Sequence, residues 1–111
     1  MADDSVSKTI NKGLKKEITD FGLQKKSVKL IILHMSRKID KDIIGINHVN
    51  EWLEDMNQLL AKEEYVRTEY LEMRRKLNEA IERVMDVEMR SKLRNSWYSY
   101  GRALDKKVPR N

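Results

Sequence analysis

Apolar residues recur at steps of three and four over residues 5–21, which places them on one face of a helix. These residues are Val6, Ile10, Leu14, Ile18 and Phe21. Four lysines of the same stretch fall on the opposite face: Lys8, Lys12, Lys15 and Lys16. Ser5 or Ser7 can cap this helix and Gly22 can end it. The pattern therefore predicts a first, amphipathic helix that stops at Gly22.

A second helix is predicted from Ser27 to Ile39. Its apolar residues at helical spacing are Val28, Ile31, Ile32, Met35 and Ile39. Leu30 and Leu33 widen this apolar stripe, so we expect this helix to be the most buried one of the chain. His34 stands inside the same apolar run, where a partly buried structural role is expected. Residues 40–47 then read as a connection that contains Gly45, with Asn47 as a helix cap.

A heptad pattern, with apolar residues at alternating steps of three and four, begins at Val49 and continues to Val87. Its members are Val49, Trp52, Met56, Leu59, Glu63, Val66, Tyr70, Met73, Leu77, Ala80, Val84 and Val87. Neither Gly nor Pro occurs between residues 46 and 100, and Ala61–Glu64 contains no turn residue. We therefore predict one unbroken helix from Asn47 to about Glu88, ~60 Å long at ~1.5 Å per residue.

The apolar stripe of this long helix has two interpretations. It packs against the other helices of the same chain, or it exceeds what they can cover and pairs with a second copy or another protein. Under the second interpretation the candidate self-association stripe is Met56, Leu59, Val66, Tyr70, Met73 and Leu77.

A final helix is predicted after Asp86, which can cap it. Its apolar residues Leu93, Trp97, Tyr100 and Leu104 share one face, whereas Tyr98 points away from that face and is expected to be exposed. The fold class predicted is all-α: a small bundle of about four helices built around one long central helix with coiled-coil-like heptads. We expect one domain over residues 1–111, with disordered tails at residues 1–4 and 108–111.

Composition excludes most enzyme classes. The 111 residues include no Cys, two His and four isolated Gly. Cys-ligated zinc, thiol nucleophiles and Gly-rich phosphate loops are therefore absent. No Gly-x-Ser-x-Gly or Glu-x-x-His motif occurs either. We accordingly expect no enzymatic activity, no cofactor, no metal site and no small-molecule substrate.

The formal net charge is +5, and it is segregated along the chain. Residues 1–45 carry a net charge of +4, residues 46–88 carry −5 and residues 89–111 carry +6. These charges cancel within the fold, or the basic ends form a surface for a partner or a nucleic acid. The candidate surface comprises Lys8, Lys12, Lys15, Lys16, Arg90, Arg94, Tyr98, Arg102, Lys106 and Lys107.

These features favour a non-enzymatic interaction protein that self-associates through its long helix and regulates or inhibits a macromolecular partner. Small, basic, all-helical chains of this kind are similar in style to phage and viral accessory proteins. The alternative is a nucleic-acid-binding protein whose basic terminal helices contact phosphates. The longest apolar run, Leu30–Leu33, is far shorter than the ~20 residues of a membrane span, so a cytoplasmic protein is expected, in the host cytoplasm if viral.

Overall fold

The structure is a computed structural model and describes residues 22–106. Four helices account for most of these residues: α1 over residues 22–38, α2 (Ile46–Ala61), α3 (Arg67–Glu82) and α4 (Val87–Leu104). Residues 22–106 contain no strand. The all-α class and the number of helices are therefore confirmed. The predicted helix over residues 5–21 and both predicted tails lie outside the described residues.

Contacts between helix ends show how the helices are arranged. The ammonium of Lys25, near the start of α1, donates to the carbonyl of Lys62 at the end of α2. Arg67, at the start of α3, donates to the last carbonyl of α4 at 2.6 Å. Gln24 donates to the carbonyl of Lys106, just beyond α4, at 3.1 Å. Consecutive helices therefore run antiparallel, and α1 closes the bundle against α4 in the up-down-up-down arrangement of four-helix bundles.

The prediction of one long central helix is wrong. α2 ends at Ala61, residues 62–66 are not helical, and a second break at residues 83–86 separates α3 from α4. The backbone is extended at Lys62 and at Val66, with ψ of 141° and 107°. The alternation of three- and four-residue steps continues through the linker without a shift. The heptad positions of α2 and those of α3 both face the same core. Glu63, the only charged member, lies in the linker and is exposed.

The candidate self-association stripe lies in the core of this one chain. Met56, Leu59, Tyr70, Met73 and Leu77 are all buried, and Val66 is half-buried at the start of α3. Two antiparallel helices cover each other's apolar faces, which a single long helix cannot do. The stripe therefore supplies intramolecular packing and offers no free surface for a second copy. That the protein is a homo-oligomer stays a prediction.

α1 is not the most buried helix. Val28, Ile32 and Met35 face the core, but Leu30 and Leu33 are 51% and 48% exposed. The four-helix packing leaves the outer side of α1 uncovered, since a helix at the corner of a bundle buries only one stripe. His34 is exposed rather than partly buried, because it lies outside that stripe. Gly22, expected as a helix stop, is itself helical.

The α1–α2 loop meets the α3–α4 turn at one end of the bundle. Gly45, which precedes α2 at the cap position expected for Asn47, has φ of 89°. The carbonyl of Ile44 accepts a hydrogen bond from the backbone N–H of Met85 at 2.9 Å. The predicted cap of α4 is confirmed, because the Asp86 carboxylate accepts a hydrogen bond from the backbone N–H of Met89 at 2.7 Å.

Helix α3 lies between α2 and α4 and accepts a side-chain hydrogen bond at three of its carbonyls. The indole of Trp52 donates to Met73 at 2.7 Å, the indole of Trp97 to Arg74 at 2.9 Å, and the phenol of Tyr100 to Tyr70 at 2.6 Å. Each bond ends on one particular carbonyl of the helix. The three bonds therefore fix the position of α2 and α4 along α3.

Two buried tyrosines allow a paired stability test. Tyr100 is bonded through its hydroxyl, whereas the Tyr70 hydroxyl has no hydrogen-bond partner among the described residues. Burial raises the pKa of both phenols, that of Tyr70 to about 12. We expect Tyr100→Phe to lower the free energy of unfolding by ~1–1.5 kcal/mol and Tyr70→Phe to leave it unchanged or raise it. Urea unfolding of both variants checks this, and equal losses would contradict it.

Candidate functional site

The basic residues predicted on α4 do not form one surface. Arg90 donates to the carbonyl of Val84 at 2.6 Å and closes the end of α3. Arg94 faces the carboxylate of Glu82 on α3 at 3.4 Å. These two candidate residues are therefore occupied within the fold, as the interpretation of cancelling charges expects.

Trp97 and Arg74 join the middle of α3 to α4. The Trp97 indole donates to the Arg74 carbonyl, and the Arg74 guanidinium donates to the Trp97 carbonyl at 3.3 Å. The same guanidinium stacks over the indole, 3.7 Å from its centroid. Tyr98 is 53% exposed as predicted and packs edge-on against Trp97 at 5.1 Å between ring centroids. Trp97 is thus a packing residue, and Tyr98 is the accessible aromatic of the pair.

The opposite side of α4 faces α1 and carries polar residues at steps of three and four. They are Lys92, Asn95, Ser99, Arg102 and Lys106. Arg102 and Lys106 belong to the predicted surface, are exposed, and form no ion pair with a described residue. Arg102 donates to the Ser99 hydroxyl at 3.1 Å. The predicted candidates Lys8, Lys12, Lys15, Lys16 and Lys107 lie outside the described residues.

Helix α1 contributes the densest positive charge of the described chain. Its residues 22–38 include five cations and no Asp or Glu: Lys25, Lys26, Lys29, Arg37 and Lys38. None of the five forms an ion pair with a carboxylate of residues 22–106. Lys25 donates to the carbonyl of Lys62 on α2, so we call the other four residues, together with Arg102 and Lys106 on α4, the basic face.

A cleft of about 190 Å³ opens between α1 and α4 within this basic face. We call it the α1–α4 cleft; its lining residues are Ile31, His34, Lys38, Asn95, Ser96 and Ser99. No carboxylate lines it. The groove between α2 and α3 has a mixed lining, with carboxylates such as Glu51 and Asp55 and the cations Lys76 and Arg83.

Comparisons with known proteins add no relative. No protein-family model, curated protein or solved structure matches this chain. Within residues 22–106, no helix is long and apolar enough to cross a membrane. The same residues bring together no group of three His, Asp or Glu side chains that could hold a metal ion. The geometry and charge of the α1–α4 cleft and the basic face are therefore the basis for assigning a function.

Several of the remaining cations pair with carboxylates on their own or a neighbouring helix. Arg75 pairs with Glu72 and Glu79, and its hydrogen bond to Glu72 holds the pKa of that carboxyl below its ordinary value. Arg67 bonds to Asp105 at 2.7 Å, which raises the pKa of the guanidinium. Lys41, Lys76 and Arg83 also form no ion pair with a described residue, but only residues 22–38 combine several such cations with no acidic residue.

Sequence reasoning did not find the α1–α4 cleft. Asn95 and Ser99 belong to the polar stripe of α4, whose spacing is visible in the sequence. That spacing does not reveal which helix packs beside this stripe. The expected burial of His34 also gave no indication that this part of α1 is exposed. The signal that would have pointed to α1 is the absence of any acidic residue over residues 22–38.

A second exposed feature lies where the α1–α2 loop meets the α3–α4 turn. Ile44, Met85 and Val87 are between 71% and 75% exposed. The hydrogen bond between Met85 and Ile44 holds the two loops together, so these apolar side chains belong to neighbouring segments. Exposed apolar groups held close together are typical of protein contact sites.

Proposed function

We propose that this protein is a non-enzymatic nucleic-acid-binding protein whose basic face contacts phosphates. The observation that supports this most strongly is the charge of α1, where five cations have no acidic partner among the described residues. Cations left unpaired on one face provide the charge that phosphate contacts require.

The dimensions of α1 suit a nucleic-acid strand. Lys26 and Lys38 are twelve residues apart, which is ~18 Å along a helix axis at ~1.5 Å per residue. That length corresponds to about five phosphates of one strand at ~3.4 Å each. Arg102 extends the positive charge onto α4 through its contact at the edge of the α1–α4 cleft. Contacts of this type position a strand without reading its sequence.

Binding of random-sequence DNA and RNA, measured at several salt concentrations, tests the proposal. We expect the logarithm of the binding constant to fall linearly with the logarithm of the salt concentration, because phosphate contacts release counterions. The variant Lys38→Gln, Arg102→Gln, Lys106→Gln removes three exposed cations of the basic face. It should lower the magnitude of that slope by ~3 and weaken binding to all sequences alike.

A control variant removes the same charge elsewhere. Lys62→Gln, Arg75→Gln, Lys76→Gln changes three exposed cations of the linker and α3. It should leave the salt slope within about one unit of the wild-type slope, because these side chains are outside the basic face. Equal effects of the two variants would contradict the assignment to this face.

The exposed apolar side chains of Ile44, Met85 and Val87 favour a second candidate function. In this alternative the protein binds, and regulates or inhibits, another protein through that end of the bundle. The salt titration separates the two candidates. A wild-type protein that binds neither DNA nor RNA at low salt would contradict nucleic-acid binding and leave the protein partner as the favoured function.

A further inference from the structure

Ser96 on α4 is the one buried polar side chain of the described residues, at 5% exposure. It lines the α1–α4 cleft, and its hydroxyl forms no hydrogen bond with a residue of the described chain. The Ser96 hydroxyl oxygen is open to the cleft, although the residue as a whole is buried. A group that enters the cleft can therefore form a hydrogen bond with it.

The neighbours of Ser96 identify the chemistry of that group. Lys38 contributes a positive charge and three N–H donors, and Asn95 contributes an amide with two more. The Ser99 hydroxyl accepts from Arg102, which leaves its own O–H free to donate. A cleft with several convergent donors and no carboxylate favours an anion with several acceptor oxygens.

The size of the cleft limits the ligand further. Its volume of about 190 Å³ is below the ~300–1,000 Å³ of pockets that enclose whole small molecules. A complete nucleotide therefore exceeds it, whereas a single phosphoryl group fits. Ile31 and the imidazole ring of His34 line the cleft beside the polar residues.

We propose that the α1–α4 cleft seats one backbone phosphoryl group of the bound nucleic-acid strand. Lys38 neutralises the phosphoryl charge, while Asn95 and Ser96 donate hydrogen bonds to its oxygens. This inference rests on the proposed nucleic-acid binding and adds a fixed point of attachment to it. The surrounding cations attract the strand from a distance, and the cleft sets its position on the basic face.

The first test is an NMR titration with inorganic phosphate. We expect saturable shifts of the Asn95 side-chain amide and of the backbone amides of Ser96 and Ser99. The same titration of the double variant Asn95→Ala, Ser96→Ala should lose the saturable shifts. A wild-type protein without saturable shifts at these residues would overturn the proposal.

The second test uses an oligonucleotide and the same double variant. Asn95→Ala, Ser96→Ala keeps the net charge, so the salt slope should stay unchanged while affinity falls about tenfold through lost hydrogen bonds to a charged group. The control Asn57→Ala, Ser91→Ala removes an exposed amide and an exposed hydroxyl outside the cleft. It should bind as the wild type does, and circular dichroism checks that both variants are folded.

The outcomes separate this inference from the proposed function. Salt-dependent wild-type binding with no loss in the cleft variant overturns the phosphoryl site and leaves nucleic-acid binding intact. Phosphate binding in the cleft without any binding of DNA or RNA overturns both, since the bound group would then be a free anion. If the double variant does not fold, the single variants Asn95→Ala and Ser99→Ala, on less buried positions, provide the same comparison.

Discussion

Replacing Leu77 by Asp is expected to leave the protein largely unfolded at 25 °C. Leu77 is completely buried in the core, with no space for water around a carboxylate. The buried charge and the lost leucine packing should together cost ~5 kcal/mol or more, which is comparable with the lower part of the ~5–15 kcal/mol that stabilises a domain of this kind. Circular dichroism and urea unfolding would measure the loss.

Leu71 provides the matched control on the same helix. It lies on the outer side of α3 and is 42% exposed, so Leu71→Asp should change the free energy of unfolding by no more than ~1 kcal/mol. The comparison also decides the role of the heptad stripe. A Leu77→Asp protein that stays folded but changes from dimer to monomer would show that the stripe is an interface between copies.

Gly45→Ala is expected to lower the free energy of unfolding by ~3 kcal/mol. The φ of 89° is unfavourable for a residue with a side chain by ~1–2 kcal/mol. The added Cβ would also overlap the carbonyl oxygen of Arg83 and lie 2.9 Å from its carbonyl carbon, and moving that turn should cost a further ~1–3 kcal/mol. Thermal unfolding of the variant would measure the effect.

Gly22→Ala is the corresponding control. Gly22 is helical and exposed, and an added Cβ there meets no atom within 4 Å. Alanine at that position should raise the free energy of unfolding by up to ~1 kcal/mol. A Gly45→Ala protein as stable as the wild type would mean that the α1–α2 loop and the α3–α4 turn are not in close contact.

Periodicity predicted which residues face the core better than it predicted where the helices end. Val49, Trp52 and Met56 were placed on one apolar face, and all three are buried. The same rule failed at residues 62–66, because the linker preserves the heptad phase and contains neither Gly nor Pro. Glu63 marked the position, since a charge at a core heptad site is unfavourable in a long helix.

The candidate site was predictable only in part. Composition located positive charge near both ends of the chain, and Arg102 and Lys106 are indeed unpaired on the surface. Arg90 and Arg94 could not be distinguished from them, because their partners Val84 and Glu82 come close only when α3 and α4 pack together. The basic face likewise depends on the antiparallel contact of α1 with α4, and helical periodicity does not encode that pairing.

The contact between α1 and α4 has a consequence for how the chain folds. Consecutive helices meet through short loops, so their contacts close small loops at little entropic cost and can form early. The bond from Gln24 to Lys106 instead spans 82 residues. The contact between α1 and α4 is therefore expected to form last as the bundle folds. A strand bound across it would join the two ends of the fold and slow their separation, so that binding and resistance to unfolding would rise together.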